Sequence, residues 1–214
     1  EQTLVRIDKA TVQKEECFDF PQSQAVCAYD STVILARADR RLSRFKDSRG
    51  GRFLLKSTSR SSLPSTDYIY YMEACNEFII CASGQSKDVS PQSHHYLLTF
   101  HPTRLNLVDR VIVDKTFIIS SMRIVKLPSA TVVLCVNLIG NLSIYASVLG
   151  SMTLLVHPQK VHWGVTYSIV LVDTLVNGKC HTQSNGYDRR PTDEVEFFIH
   201  GDYRSFQRYK LKLN

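Results

Sequence analysis

The sequence is poor in glycine, with nine in 214 residues. None falls into Gly-x-Gly-x-x-Gly or Gly-x-x-x-x-Gly-Lys-Ser/Thr, so the chain lacks the close-turning backbone that cradles nucleotide phosphates. Gly-x-Ser-x-Gly is missing too, which removes the strained turn that presents a hydrolase nucleophile. The repeated short-spaced pairs of structural zinc are also absent: Cys75 and Cys81 are six apart, and Cys180 beside His181 stands alone. The histidines (His94, His95, His101, His157, His162, His181 and His200) belong to no catalytic motif. No apolar run approaches the roughly 18 residues needed to cross a bilayer. The longest runs, around Phe117–Ile119 and Thr131–Val136, are strand-sized. The first residue is not Met, and no charged-then-apolar leader follows, which reads as a fragment, a processed chain or one trimmed at its ends. These absences argue against an enzyme, a metal site, a cofactor and a membrane span.

What is present is globular: 43% of residues are hydrophobic and 21% charged. The cysteines, Cys17, Cys27, Cys75, Cys81, Cys135 and Cys180, are even in number and thinly spread. Most lie in apolar runs such as Val26-Cys27-Ala28, Ile80-Cys81-Ala82 and Leu134-Cys135-Val136, where a reduced cysteine behaves as a small buried hydrophobe. That reading favours a soluble protein of the cytoplasm or nucleus; three disulfides in a secreted domain are the alternative. The lone Asn141-Leu142-Ser143 sequon, which follows a glycine at an expected hairpin turn, carries little weight.

Segments rich in Val, Ile, Tyr, Phe and Thr, five to eight residues long and cut by turn residues, predict an all-β chain. The expected strands lie near Thr3–Ile7, Ala25–Tyr29, Thr32–Ala36, Tyr68–Met72, Glu77–Ala82, Tyr96–Phe100 and Leu107–Val113. Others lie near Ser121–Leu127, Thr131–Asn137, Leu142–Ser147, Met152–His157, Val165–Val172, Glu194–His200 and Ser205–Leu213. Asp30-Ser31, Pro128-Ser129, Gly140-Asn141, Asn177-Gly178 and Gly201-Asp202 supply turns. Leu35, Ala38, Leu42 and Phe45 have helical spacing, but the same residues fit two strands turning at Ala38-Asp39, which agrees with the rest of the chain.

Four hairpins share a shape, near 25–46, 77–100, 131–147 and 194–213. Each has an apolar inner strand, a turn and a more polar outer strand. His101-Pro102 and His157-Pro158 read as similar endings of one repeat. Lys56–Thr66, Ser83–His95 and Lys179–Thr192 read as inserted loops, the first rich in Ser, and His94-His95 as a solvated pair. Residues Ala25 to Phe45 and Thr131 to Ala146 resemble the middle of a WD40-type blade, a buried strand followed by a turn and a second strand ending in an aromatic or apolar residue. The chain departs from that family's markers: Trp163 precedes Gly164, not Asp, and no Gly-His dipeptide opens a blade. The resemblance implies one domain over 1–214, a β-propeller or partial propeller of about four blades. So few blades imply completion by further sequence or by a partner. A β-sandwich with Greek-key connections is the alternative fold.

Charge is concentrated in one place. Arg37, Arg40, Arg41, Arg44, Lys46, Arg49, Arg52, Lys56 and Arg60 face only Asp39 and Asp47, whereas the whole chain carries +6. Such a segment is either a solvated loop or a contact surface. As a contact surface, Arg40, Arg41, Arg44, Arg49 and Arg52 suit bidentate binding of carboxylate or phosphate. The expectation is a non-catalytic scaffold that binds an acidic partner segment within a larger complex. A nucleic-acid-binding domain using the same arginines, with Phe45 and Phe53 beside them, is a second reading. A secreted, disulfide-bonded β-sandwich is a third. A smaller basic run, Arg204, Arg208, Lys210 and Lys212, contains Phe206 and Tyr209; alternating lysines there also guard a strand edge.

Overall fold

The computed structural model describes residues 3–7, 14–19, 23–47, 53–59, 67–85, 94–113, 118–172, 194–202 and 205–213. Every extended regular element among them is a strand. β1 (Thr3–Ile7) and β2 (Lys14–Asp19) form a hairpin. Four antiparallel meanders follow, each joining strands in chain order. The first is β3 (Ser23–Tyr29), β4 (Thr32–Arg37), β5 (Leu42–Asp47) and β6 (Phe53–Thr58). The second is β7 (Asp67–Ala74), β8 (Ile79–Gln85), β9 (His95–Phe100) and β10 (Leu107–Val113). The third is β11 (Ile119–Lys126), β12 (Thr131–Asn137), β13 (Asn141–Val148) and β14 (Ser151–Lys160). The fourth is β15 (Thr166–Leu171), β16 (Glu194–Gly201) and β17 (Phe206–Lys212). Each hairpin expected from the sequence seeds a different meander. The sheets contain no Greek-key crossover among the described residues, so the sandwich alternative is set aside.

Local chemistry explains the strands. β12 reads Thr-Val-Val-Leu-Cys-Val-Asn, and its β-branched run is buried on both faces. β17 alternates exposed and half-buried residues, as a strand covered on one face should. Single meanders of this size are marginal alone, and face-to-face packing stabilises them. The chain divides into two compact units, Glu1–Lys115 and Thr116–Asn214. In the first, β3 runs beside β7, and Ile34, Leu42, Ile69, Ile79 and Leu98 share one core. In the second, β11 runs beside β15, and Val132, Leu134, Ile169, Phe197 and Ile199 form the core. Each such side chain, fully buried, contributes roughly 1.5–3 kcal/mol.

Several expectations need correction. Lys56–Thr58 belongs to β6, so the Ser-rich insertion starts later than the composition suggests. β2 was not expected, because Lys-Glu-Glu-Cys-Phe-Asp has little strand propensity. His95 is buried at the start of β9, where its ring meets Tyr70 edge-on at 6.0 Å, and burial lowers its pKa. It is not solvated. The two His-Pro pairs are not equivalent: His101 follows β9, whereas His157 lies inside β14. The helical spacing around Ala38 is resolved as a hairpin, with Ala38 in its turn. Asn177-Gly178 and the Lys179–Thr192 insertion lie outside the described residues.

Candidate functional site

The β4–β5 turn carries the expected arginines. Arg40 N–H donates to the Arg37 carbonyl at 2.9 Å, and Arg37 N–H donates to the Arg41 carbonyl at 2.9 Å. This pairing makes a three-residue loop whose last position must be left-handed, a place usually held by glycine. Here Arg40 holds it, with φ +63°. Asp39 braces the loop: its carboxylate accepts the Arg41 N–H at 3.2 Å and pairs with Arg37 at 3.3 Å. Among the described residues no carboxylate pairs with the guanidinium of Arg40 or Arg41. Arg44 differs from these two. It lies within β5 opposite Ile34, half-buried and hydrogen-bonded to Tyr29. Arg49 and Arg52 lie outside the described residues. The turn therefore gathers Arg37, Arg40 and Arg41, and Arg44 is tied into the sheet.

A second site carries no charge cluster or motif that marks it in the sequence. The β12–β13 turn repeats the same loop: Gly140 N–H donates to the Asn137 carbonyl at 3.0 Å, and Gly140 has φ +83°. Its loop residues, Leu138 and Ile139, are exposed apolar side chains. The segment after β14 locks onto this turn. Val161 and His162 N–H groups donate to the Gly140 carbonyl at 2.9 and 3.1 Å, and Thr166 N–H donates to Leu138 at 3.0 Å. Trp163, 82% exposed, stands beside Val165 and Tyr167, both also exposed. Lys160 Nζ lies 5.2 Å from the Trp163 ring centre and donates to the Ile139 carbonyl. The result is an apolar, aromatic platform on a fixed backbone.

The platform rests on a polar latch of which His162 is the buried member. His162 is 2% exposed, and its Nε2 lies 2.6 Å from Ser205 Oγ. Ser205 Oγ donates to the Asp202 carbonyl at 2.7 Å, so its proton is used there and His162 Nε2–H is the donor to Ser205. The His162 ring is thereby fastened to Ser205 and, through it, to the Asp202 carbonyl. Asp202 accepts the Val165 N–H at 2.8 Å and the Tyr167 hydroxyl at 2.5 Å. These bonds, Tyr167 first, hold its carboxyl below the usual range. Gly201 is required because a Cβ there would stand 2.5 Å from the His162 ring.

The remaining candidates are quieter. In the second basic run Arg208 pairs with Glu196 at 2.6 Å, and Lys210 and Lys212 share Glu194 at 2.5 and 3.4 Å. A cleft of about 370 Å³ between β3 and β7 is lined by Gln24, Cys27, Tyr70 and Glu73 among others. Burial, with Glu73 adding to it, pushes the Cys27 thiol far up, which leaves it a poor nucleophile. Cys27, Cys75, Cys81 and Cys135 are free thiols. Among the described residues no three His, Cys, Asp or Glu gather as for a metal ion, and no helix is long and apolar enough to cross a membrane.

Four successive small antiparallel meanders define an all-β, blade-built class of protein. No family model matches the sequence, and no curated protein matches it. Among solved structures the chain is similar to the computationally designed Ika4 protein, at 8% identity and a TM-score of 0.53, over 89% of this chain and 92% of that one. It is also similar to Saccharomyces cerevisiae Sqt1, a WD40 protein, at 10% identity and a TM-score of 0.52. That match covers 89% of this chain but 48% of Sqt1, so the chain spans about half of Sqt1's length. At such identities the likeness shows the fold alone, an all-β chain of small antiparallel sheets consistent with a partial propeller.

Proposed function

We propose that this chain is a non-catalytic protein-interaction module whose β4–β5 turn binds an acidic segment of a partner within a larger complex. The observation that carries this reading is Arg40 in a left-handed conformation at the tip of that turn. A non-glycine residue there costs on the order of 1 kcal/mol, and strain of this kind is commonly retained where a side chain is needed. Arg40 and Arg41 carry their charge on a loop braced by Asp39, and guanidinium groups bind carboxylates bidentately. Arg44, Arg49 and Arg52 add positive charge to the same stretch of sequence. The free thiols Cys27, Cys75, Cys81 and Cys135, the last two buried, fit a reducing compartment, cytoplasm or nucleus.

The test is a titration of a labelled Asp/Glu peptide against the wild type and the R40E/R41E variant. The wild type should bind, and the variant should lose about tenfold or more in affinity. Binding should survive excess duplex DNA. Displacement by DNA, with a steep salt dependence, would favour the nucleic-acid reading instead. Unchanged affinity in the variant would remove both.

A further inference from the structure

The β12–β13 turn and the loop after β14 show solvent more apolar surface than their own packing uses. Leu138, Ile139 and Trp163 are exposed, Trp163 most of all. Backbone bonds knit the two segments together: Thr166 N–H donates to the Leu138 carbonyl, and Val161 and His162 N–H donate to that of Gly140. Beyond Trp163 the loop is pinned again. Val165 N–H donates to the Asp202 carboxylate at 2.8 Å, and Asp202 N–H donates to the Val165 carbonyl at 2.9 Å. Lys160 joins the two apolar surfaces, since its Nζ donates to the Ile139 carbonyl and lies 5.2 Å from the Trp163 ring centre. An ammonium has three N–H donors, which leaves two for an incoming acceptor. Among the described residues no carboxylate pairs with Lys160. An exposed tryptophan on a fastened backbone, beside a cation with donors to spare, has the makings of a binding hot spot.

We propose that this platform binds a linear segment of a partner protein in which bulky apolar residues flank an acidic one. One apolar side chain laid over Trp163 would take both surfaces out of water, and the other would do the same against Leu138 and Ile139. The carboxylate between them would meet the Lys160 ammonium, which touches both surfaces, in a charge-assisted hydrogen bond. Excluding water around that bond strengthens it. A purely acidic segment would leave the apolar surfaces wet. A purely apolar one would cover the Lys160 charge without supplying a counter-charge, which costs free energy. The order of features in the site, Trp163 then Lys160 then Ile139, thus sets the order of residues in the segment. Because turn and loop are already bonded to each other, binding has little of the chain left to order. The site shares no residue with the β4–β5 turn and stands on its own observations.

Trp163 is the single tryptophan of the chain, so its own emission reads the site without a label. The probe is an end-capped peptide, Ser-Gly-Leu-Glu-Leu-Gly-Ser, which adds no emission of its own. Two controls replace its glutamate by glutamine, or both leucines by serine. The parent peptide should move the Trp163 emission to shorter wavelength, saturably, as water leaves the indole. The glutamine peptide should bind about fivefold more weakly, the scale of one partly exposed ion pair, and the serine peptide about tenfold or more. These readings use the wild-type chain and need no variant to fold. Lys160→Gln should erase the preference for the parent over the glutamine peptide, and R40E/R41E should leave the emission response unchanged. Emission unmoved by the parent peptide, equal binding of the glutamine peptide, or a preference that survives Lys160→Gln would overturn the proposal. A shift to shorter wavelength on concentrating the chain alone would also overturn it, because a second copy would then be the occupant.

Discussion

The β4–β5 turn and the β12–β13 turn are built on one backbone plan. Each follows the second strand of its meander, closes with an N–H to carbonyl bond across four residues, and places its last loop residue in the left-handed region. Arg40 fills that position in one, and Gly140 in the other. The Arg40 turn has charge at its tip and is braced by Asp39 alone among the described carboxylates. The Gly140 turn shows Leu138 and Ile139 to solvent and is clamped by the backbone of Val161, His162 and Thr166. The hydrogen-bonded frame thus fixes where a turn points, and the neighbouring chain decides which residue the left-handed position tolerates. Where a neighbour's backbone crowds the turn, as at Gly140, glycine is obligatory; the β4–β5 turn holds an arginine in that position at a modest conformational cost.

The largest expected effect tests that crowding directly. A Cβ added at Gly140 would lie 2.1 Å from the His162 carbonyl oxygen and 2.9 Å from its carbon, which are backbone atoms without a rotamer escape. The φ of +83° adds strain of its own. Gly140→Ala should therefore destabilise the chain by about 3 kcal/mol or more, read from urea unfolding midpoints. A loss below about 1 kcal/mol would mean that the two turns are equally tolerant and the contrast between them is not real.

The same contrast shows what the sequence could disclose. β12 was legible because Thr131–Asn137 is a β-branched run that no helix would prefer. The charge of the β4–β5 turn was legible as well, since Arg37, Arg40 and Arg41 are close along the chain. Their left-handed presentation was not, because a dihedral at Arg40 leaves no compositional mark. β2 stayed hidden behind its charged residues, and β6 behind the serines that follow it. His162, Asp202 and Ser205 were least accessible: sheet pairing joins residues some forty positions apart, and no local spacing encodes it. One local signal of the second turn is present in the sequence. Leu138-Ile139 sits between Asn137 and Gly140, an apolar pair where a turn normally places polar residues.

A smaller effect concerns the latch beneath the apolar platform. Hydrogen bonds from Tyr167 and the Val165 backbone hold the Asp202 carboxyl below its ordinary value. Its pKa is thus lower in the folded than in the unfolded chain. The stability it contributes is complete above the ordinary carboxylate range and is lost as pH falls through the depressed value. Asp202→Asn should lower the urea midpoint at neutral pH by less than Gly140→Ala does. The gap between variant and wild type should narrow as the solution is acidified. A gap independent of pH would show that the carboxylate charge is not what fastens this turn, whereas the Arg40 turn should show no matching response to Asp202→Asn.

The smallest expected effect has the opposite sign and bears on the Arg40 turn itself. Arginine in the left-handed region costs about 1 kcal/mol that glycine does not incur, while glycine gives the unfolded chain more freedom to lose, about 0.4–1 kcal/mol. The first cost is at least as large as the second, so Arg40→Gly should raise stability slightly, by up to about 0.5 kcal/mol. The same change removes one of the two guanidinium groups at the tip, so affinity for the Asp/Glu peptide should fall several-fold. A gain in one measurement and a loss in the other is the signature of a residue kept for contact at the expense of conformation. If Arg40→Gly destabilised the chain and left peptide binding unchanged, Arg40 would be a structural brace. The two turns would then differ only in how each satisfies its own backbone.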